Sequence, residues 1–459
     1  MSAQPANLAG HNIDRSTLPL LVTLALGVFA GALDLGVLAP ALPAMGIAFH
    51  VSMASLTWIY TLYLFVNILS ITVTGKLADT YGRRPVYIAC LTAFALGSLL
   101  AIGSPNFSVF LLARAIQAAG AGGIFPVAAA AVGDAVTPQR RGSALGIIGA
   151  TWGLAAIVGP NFGGLVTHFL SWHWIFAINI PLAIVVIALA RRYMPVNALR
   201  VRGPLDLVGL SILCVGLASL MLGVATGRYY LLAISVAMVP AFYRAERRAP
   251  VPIFSPVLFR NTQLMRTYAL EVVIGLLEGA LFFIPTALIT GLHLSAASAG
   301  ALAGVGAIIF VAVIPLSGRA LDSFGSRTVL AVGASLSTAG LVVFAFGLSS
   351  LWFAILGIVV AGIGFGALLG APTRYIVTNE APPSMRATGI GLLSQCLIVG
   401  QIAGGSLAAA IIRSGANALS SFRSAYEIFA LFGVFAIMVI AALRSSSDER
   451  ASALSRSTG

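Results

Sequence analysis

Apolar residues run along this chain in blocks of about twenty, separated by short polar breaks, and they do so from near residue 18 to near residue 443. A helix rises 1.5 Å per residue, so about twenty apolar residues span the hydrocarbon thickness of a bilayer. The blocks fall at 18–40, 55–75, 85–104, 107–133, 142–167, 172–191, 205–226, 229–243, 266–291, 297–316, 328–348, 351–373, 387–412 and 424–443, which predicts fourteen membrane-spanning helices. The weakest is 229–243, short and interrupted by Pro240. The first block is too long for a signal-peptide core and is read as a span.

Composition narrows the class further. Hydrophobic residues make up 59% and charged residues 8% of the 459 residues, with mean hydropathy +1.01. A soluble domain needs a charged surface, so a polytopic all-α membrane protein is expected. The net charge of +13 has an orientational cause. On the predicted topology, 22 of the 26 Lys and Arg lie on the side of the N-terminus, three (Arg228, Arg413, Arg423) lie opposite, and Arg114 sits inside a span. That bias places both termini in the cytoplasm and gives no reason to invoke nucleic acid; the expected location is the plasma (inner) membrane. Cys90, Cys214 and Cys396 fall in separate spans and read as small packing residues.

Charge gathers in stretches that repeat. "GKLADTYGRRP" (75–85) and "SGRALDSFGSR" (317–327) share G-x3-D-x2-G, with Gly75, Asp79 and Gly82 against Gly318, Asp322 and Gly325 at an offset of 243. "TPQRRGSALG" (137–146) and "PPSMRATGIG" (382–391) share P-x2-R-x4-G at an offset of 245. Two motifs at nearly one offset imply a duplicated six-helix unit, the parallel-repeat arrangement of secondary transporters. The expected organisation is a cytoplasmic tail (1–17), an N-terminal six-helix bundle (18–191), a linker with two inserted helices (192–265), a C-terminal six-helix bundle (266–443) and a disordered cytoplasmic tail (444–459).

These motifs resemble the major facilitator superfamily, in particular its fourteen-helix drug:proton antiporter branch. "GKLADTYGRRP" is similar to the loop 2–3 signature, with Thr80 at a usually basic position. "LDLGVLAPALP" (33–43) resembles the helix 1 signature, departing at Gly36 and Ala39. "RAIQAAGAGG" (114–123) resembles R-x2-Q-G-x-G with Ala118 for a glycine. "AIVGPNFGG" (156–164) carries G-P-x2-G-G at Gly159, Pro160, Gly163 and Gly164, and "PVLFRN" (256–261) is similar to the branch's link into helix 9. The resemblance implies gating by the loops holding Gly75, Asp79, Gly82, Arg83, Arg84, Gly318, Asp322, Gly325 and Arg327. It also implies a role in proton coupling for Arg114.

Ionisable groups inside spans cost about 2.5–3.5 kcal/mol or more, so each is a functional candidate. Those singled out are Asp34, Arg114, Glu271 and Glu278, with Gln117 on the face of Arg114. Glu271 and Glu278 are seven residues apart, on one helix face and about 10.5 Å apart along the axis. Adding 243 to Asp34 gives 277, so each half presents one carboxylate at similar depth. A carboxyl withdrawn from water favours its neutral form and can load a proton, then release it to water or a cation. Arg114 requires a partner, and Asp34 is the candidate. In helix 5, Ala155, Gly159 and Gly163 form a smooth stripe for close packing, and Pro160 removes a backbone bond. Tyr63, Trp152, Phe282 and Phe283 are candidate cavity aromatics for a flat cation.

The expected function is proton-coupled export of lipophilic, cationic small molecules by alternating access. One proton entering at about 150 mV supplies roughly 3.5 kcal/mol, enough for a gradient of roughly a few hundredfold in a neutral drug. No cofactor or metal is called for: the five histidines are scattered over separate loops and the tail, and no phosphate-loop motif is present. The protein is expected to be monomeric, with a small-molecule substrate, protons and the bilayer as partners. A metabolite carrier (organic acid, amino acid or sugar) is the rival within transport, and a polytopic membrane enzyme the rival outside it.

Overall fold

A computed structural model describes residues 17–196, 206–226, 228–249, 256–414 and 418–444. The N-terminal tail, most of the C-terminal tail and part of the 192–265 linker lie outside the described residues. Among the described residues there are helices and no strands.

The first half is built from α1 (Leu18–Gly36), α2 (Leu42–Phe49), α3 (Met53–Tyr81), α4 (Arg83–Ile102), α5 (Phe107–Ala135), α6 (Arg141–Phe169), α7 (His173–Ala177) and α8 (Asn179–Tyr193). Two intervening helices, α9 (Leu207–Thr226) and α10 (Tyr229–Arg248), pack on each other and touch α3. A short α11 (Pro256–Arg260) leads into the second half: α12 (Thr262–Leu281), α13 (Ile284–Leu292), α14 (Ala296–Phe324), α15 (Ser326–Gly347), α16 (Leu351–Leu369), α17 (Pro372–Glu380), α18 (Arg386–Ser414) and α19 (Ala418–Ala441).

Among the described residues, eleven helices are long and apolar enough to cross a membrane, and the bent pair α12–α13, counted as one span, makes twelve. The 205–226 and 229–243 runs are helical, as α9 and α10, but fall outside that criterion, so the count of fourteen rests on the sequence. The run at 266–291 is not one helix: it breaks at Phe282–Phe283 with a bend of 41°. The first run stops at Gly36 as well, and α2 follows after a short 3-10 turn at Ala39–Ala41.

The duplication extends to the backbone. His50 and His293, 243 apart, both adopt the left-handed conformation, with φ of 54° and 53°. Ser52 and Ser295 both accept a hydrogen bond from the backbone N–H three residues on, at 3.2 Å, and so start α3 and α14. Gly82 and Gly325 both take positive φ, 96° and 83°, a conformation that a side chain would resist, and this lets α3 turn directly into α4 and α14 into α15. One supersecondary unit is therefore written twice.

The two halves meet over only part of their length. α14 lies on α6, and α18 on α3 and α5. Small residues allow the approach: a side chain on Gly318 would meet the Gly142 carbonyl oxygen, on Gly146 the Gly318 backbone, and on Gly153 the Val311 side chain. Gly391 lies against Ile71, and Gln395 donates to the Ile68 carbonyl oxygen at 3.2 Å. All of these contacts are in the half of the molecule that carries the charged loops. Toward the opposite face, Gly300 and Gly304 of α14 have nothing within 4 Å of where a side chain would begin. The interface is closed at the charged face and splayed at the other.

Candidate functional site

At the closed face each half caps a helix of the other. Asp79, in the last turn of α3, accepts from Ala387 N at 3.2 Å, Thr388 N at 2.8 Å and Thr388 Oγ1 at 2.6 Å. These are first-turn donors of α18, which have no intrahelical partner and a positive dipole end. Asp322, at the matching place in α14, accepts from Gly142 N and Ser143 N, both at 2.9 Å, and from the Ser143 hydroxyl. The two repeated motif pairs of the sequence are thus partners: the G-x3-D-x2-G stretch of each half docks onto the P-x2-R-x4-G stretch of the other.

The two interlocks differ in charge. Around Asp79, Arg83 pairs with Asp79 and with Asp134 at 3.0 Å, and donates to the Pro383 carbonyl oxygen at 3.0 Å. Arg386 pairs with Asp134 at 2.7 Å and donates to the Thr378 carbonyl oxygen at 2.8 Å. In the other interlock Arg83 corresponds to Ser326 and Asp134 to Asn379, which accepts from Arg141. Arg84 and Arg327 stand in the first turns of α4 and α15, half-buried, and the ion pairs of Asp79 and Asp134 run through Arg83 and Arg386. Asp134 escaped sequence reading because one acid near a helix end looks like a solvated terminus. The 245 offset linking it to Asn379 was a usable signal.

Asp34 lies near the far end of α1 with no exposed surface. Its Oδ2 accepts from Arg114 Nη1 at 2.7 Å, and its Oδ1 from Gln117 Nε2 at 2.8 Å and Asn179 Nδ2 at 3.1 Å. Ser98 Oγ binds both amides, at 2.8 and 3.3 Å. Arg114, also fully buried, stacks 4.2 Å from the Tyr63 ring centroid. Tyr63, expected to line a cavity, is a buried platform for that guanidinium; a cation already occupies its ring face. Gly159 and Gly163 of α6 bring the backbone against Gly36 and Val37 of α1, and Gly164 faces Pro40, so the glycine motif packs the end of α1 just beyond Asp34. The Pro160 side chain lies outside the described residues.

In the second half, Glu271 and Glu278 both sit on α12. Glu271 is buried, at 1% exposure, and its Oε2 has no hydrogen-bond partner. Glu278 accepts from Gln401 Nε2 at 2.9 Å and lines a cavity of about 240 Å³ with Leu281, Phe282, Phe310, Ile358 and Phe365. Phe282 is largely exposed there, whereas Phe283 packs into the core of the second half. Trp152 is 42% exposed on α6.

Arg374, placed in a loop by the hydropathy pattern, belongs to a candidate span: α16 and α17 together cover 30 residues, Leu351–Glu380, apolar through α16 and polar through α17. Arg114, expected to be the one basic residue within a span, therefore shares that position with Arg374. Arg374 Nη1 donates to the Leu369 and Gly370 carbonyl oxygens at 2.7 and 2.8 Å, its guanidinium lies 4.8 Å from the Phe125 ring of the first half, and it interacts electrostatically with Glu271 and Glu278. The polar run "TRYIVTNE" disguised this segment: it reads as a loop in the sequence, yet Thr373, Tyr375, Thr378, Asn379 and Glu380 are all buried. Among the described residues no cluster of His, Cys, Asp and Glu is suited to a metal.

Two duplicated helical halves, interlocked at one face and splayed at the other, with acids inside the bundles, define a multi-pass membrane transporter of small molecules rather than an enzyme. The chain belongs to the Major Facilitator Superfamily, whose profile matches residues 24–277 and 267–458. Over 415 residues it is 32% identical to the uncharacterized MFS-type transporter YfiU of Bacillus subtilis, covering 85% of this chain and 79% of that one. It is 29% identical over 425 residues to the multidrug resistance protein B homolog of Mycobacterium tuberculosis (87% and 76% covered). It is 27% identical over 386 residues to the riboflavin transporter RibZ of Clostridioides difficile (82% and 84%). The fold matches the crystal structure of the human organic anion transporter MFSD10 with TM-score 0.70 at 18% identity, over 92% of this chain and 99% of that one.

Proposed function

We propose that the chain exports lipophilic, cationic compounds in exchange for protons, by alternating access, as a fourteen-helix drug:proton antiporter with its charged face in the cytoplasm. The proposal includes a plasma-membrane location, cytoplasmic termini, a monomer, and the division into bundles at 18–191 and 266–443 around the 192–265 insert. The observation that carries it is Glu278, an acid on the wall of an otherwise apolar, phenylalanine-rich cavity, in a molecule closed at the opposite, charged end. An apolar wall with one carboxylate favours a lipophilic body bearing one positive charge. The mycobacterial multidrug resistance homolog supports the same reading.

In this account Asp34, Arg114, Gln117, Glu271 and Glu278 handle charge. The loops containing Asp79 and Asp322 hold the closed state, and rocking of the halves breaks those interlocks while opening the charged face. The likeness to a riboflavin transporter keeps a metabolite carrier as the second reading. Transport assays on reconstituted vesicles separate the two. An imposed pH gradient should drive uptake of ethidium or tetraphenylphosphonium, and riboflavin should not compete. Riboflavin transport with no movement of either cation would favour the second reading.

A further inference from the structure

The outer surface of the second half carries a groove that shares no residue with the cavity beside Glu278. The first turns of α12 lie beside the last turns of α19: the Arg444 backbone N–H donates to Gln263 Oε1 at 3.1 Å, and Arg266 Nη1 donates to the Ala442 carbonyl oxygen. Between the two helices is an open groove of about 510 Å³. Met265 and Ala269 of α12 and Phe435 and Met438 of α19 form its apolar walls, and all four are exposed. From Thr262 to Ala269 the helix rises about 10.5 Å, which fits within one leaflet of a hydrocarbon layer about 30 Å thick.

The mouth of the groove lies at the charged face. Asn261, which caps α12, donates to Glu380 Oε2 at 2.8 Å, and Glu380 stands six residues before the Arg386 that pairs with Asp134. Arg266 is the charged residue of the groove wall. Its bond to the Ala442 carbonyl oxygen draws the guanidinium toward the mouth, with the stem along apolar surface, as long basic side chains lie at a membrane boundary. Arg260 of α11, two residues before α12, is exposed as well. Among the described residues neither Arg260 nor Arg266 forms an ion pair. The acid at this end, Glu380, is buried and engaged by Arg444 at 2.9 Å. Uncompensated positive charge therefore stands at the top of an apolar slot. A phosphate ester with a long hydrocarbon tail and net negative charge is complementary to both parts.

We infer that the α12–α19 groove is a binding site for one anionic phospholipid from the leaflet at the charged face. Its acyl chain lies along Met265, Ala269, Phe435 and Met438, and its phosphate rests on Arg266, with Arg260 adding to the positive potential at the mouth. Both helices belong to the second half, so the lipid remains in place as the halves move and stabilises the junction of α19 with α12. The inference depends on neither the transported compound nor proton coupling.

The test uses purified full-length protein in detergent, with dioleoylphosphatidylglycerol and dioleoylphosphatidylcholine as competing probes. Native mass spectrometry counts the bound lipid, and the thermal midpoint reads its effect. Wild type should retain one phosphatidylglycerol in preference to phosphatidylcholine, by roughly fivefold for each arginine at the mouth, the gain expected for a basic side chain beside anionic lipid. Phosphatidylglycerol should raise the midpoint and phosphatidylcholine should not, since a ligand of the folded state stabilises it. Arg266→Gln should weaken retention at least fivefold, and Arg266→Lys should keep most of it. Ala269→Trp leaves every charge in place and fills the slot, and it should lose the lipid too; it decides the matter should Arg266→Gln not fold. Arg192→Gln, which removes an exposed arginine at the end of α8, should behave as wild type. Equal retention of the two lipids by wild type overturns the inference. So does a loss in Arg192→Gln as large as in Arg266→Gln, or retention unchanged in Ala269→Trp. A dimer that excludes the lipid and is broken by Ala269→Trp would assign the groove to a second copy of the chain and overturn it as well.

Discussion

Asp79 of the first half holds Thr388 of the second by both its backbone N–H, at 2.8 Å, and its hydroxyl, at 2.6 Å, across 309 residues of sequence. The contact joins the end of one helix to the start of another and is a small fraction of the interface. Its leverage comes from charge at a helix N-terminus, where four backbone donors lack internal partners.

Asp79→Asn should therefore loosen the closed state. Charge-assisted hydrogen bonds contribute about 1.5–3 kcal/mol, and Arg83 would keep only one of its two carboxylate partners, Asp134. The expected outcome is a shift of at least about tenfold toward opening at the charged face, seen as broadened distances between spin labels on the adjoining ends of α3 and α18. Asp322→Asn, in the interlock without Arg83 and Asp134 counterparts, should shift the distribution less.

Glycine at the interface makes a second, graded prediction. A side chain added at Gly318 would come 2.6 Å from the Gly142 carbonyl oxygen, and one at Gly75 would come 3.0 Å from the Ala387 carbonyl oxygen. Backbone on the receiving side cannot swing away. Gly318→Ala should impair closure and transport severely, and Gly75→Ala mildly, as read by the same label distances and by dye efflux from cells.

Breaking the buried pair should cost more than removing it. Asp34→Asn alone leaves a buried guanidinium without its counter-ion, and such losses run to about 3–5 kcal/mol. Its thermal midpoint in detergent should fall below that of Asp34→Asn/Arg114→Gln. If the double variant is the less stable of the two, the ion pair is not the dominant interaction of that network.

Filling the cavity beside Glu278 should narrow the range of substrates. Ala303→Trp places an indole into a space of about 240 Å³. Bulky cations should lose affinity at least tenfold by calorimetry, with small ones such as tetramethylammonium least affected and the thermal midpoint close to wild type. Uniform loss across sizes would remove the cavity from substrate recognition.

Much of this was legible in the sequence because bilayer and duplication both leave periodic marks. Hydropathy located the helices, and the 243–245 offsets located the interlocking stretches, since both copies of a motif occupy equivalent backbone positions such as His50 and His293. What the pattern hid was whatever depends on a distant partner. Arg374 and the polar turn after Pro372 look like a loop because their burial against distant groups, such as the Phe125 ring beside Arg374, leaves no local trace. The break at Phe282–Phe283 was concealed for a related reason: two phenylalanines read as uninterrupted span, with one exposed and the other in the core. Tyr63 looked available for a ligand cation, and Arg114, two helices further along the chain, already lies across its ring.

The most direct measurement is proton-coupled movement of a single lipophilic cation in vesicles containing only this protein, at zero membrane potential. The account predicts that tetraphenylphosphonium accumulates when the interior is acidic, with protons leaving in step, and that Glu278→Gln abolishes both. Accumulation that ignores the pH gradient, or that survives unchanged in Glu278→Gln, would contradict it.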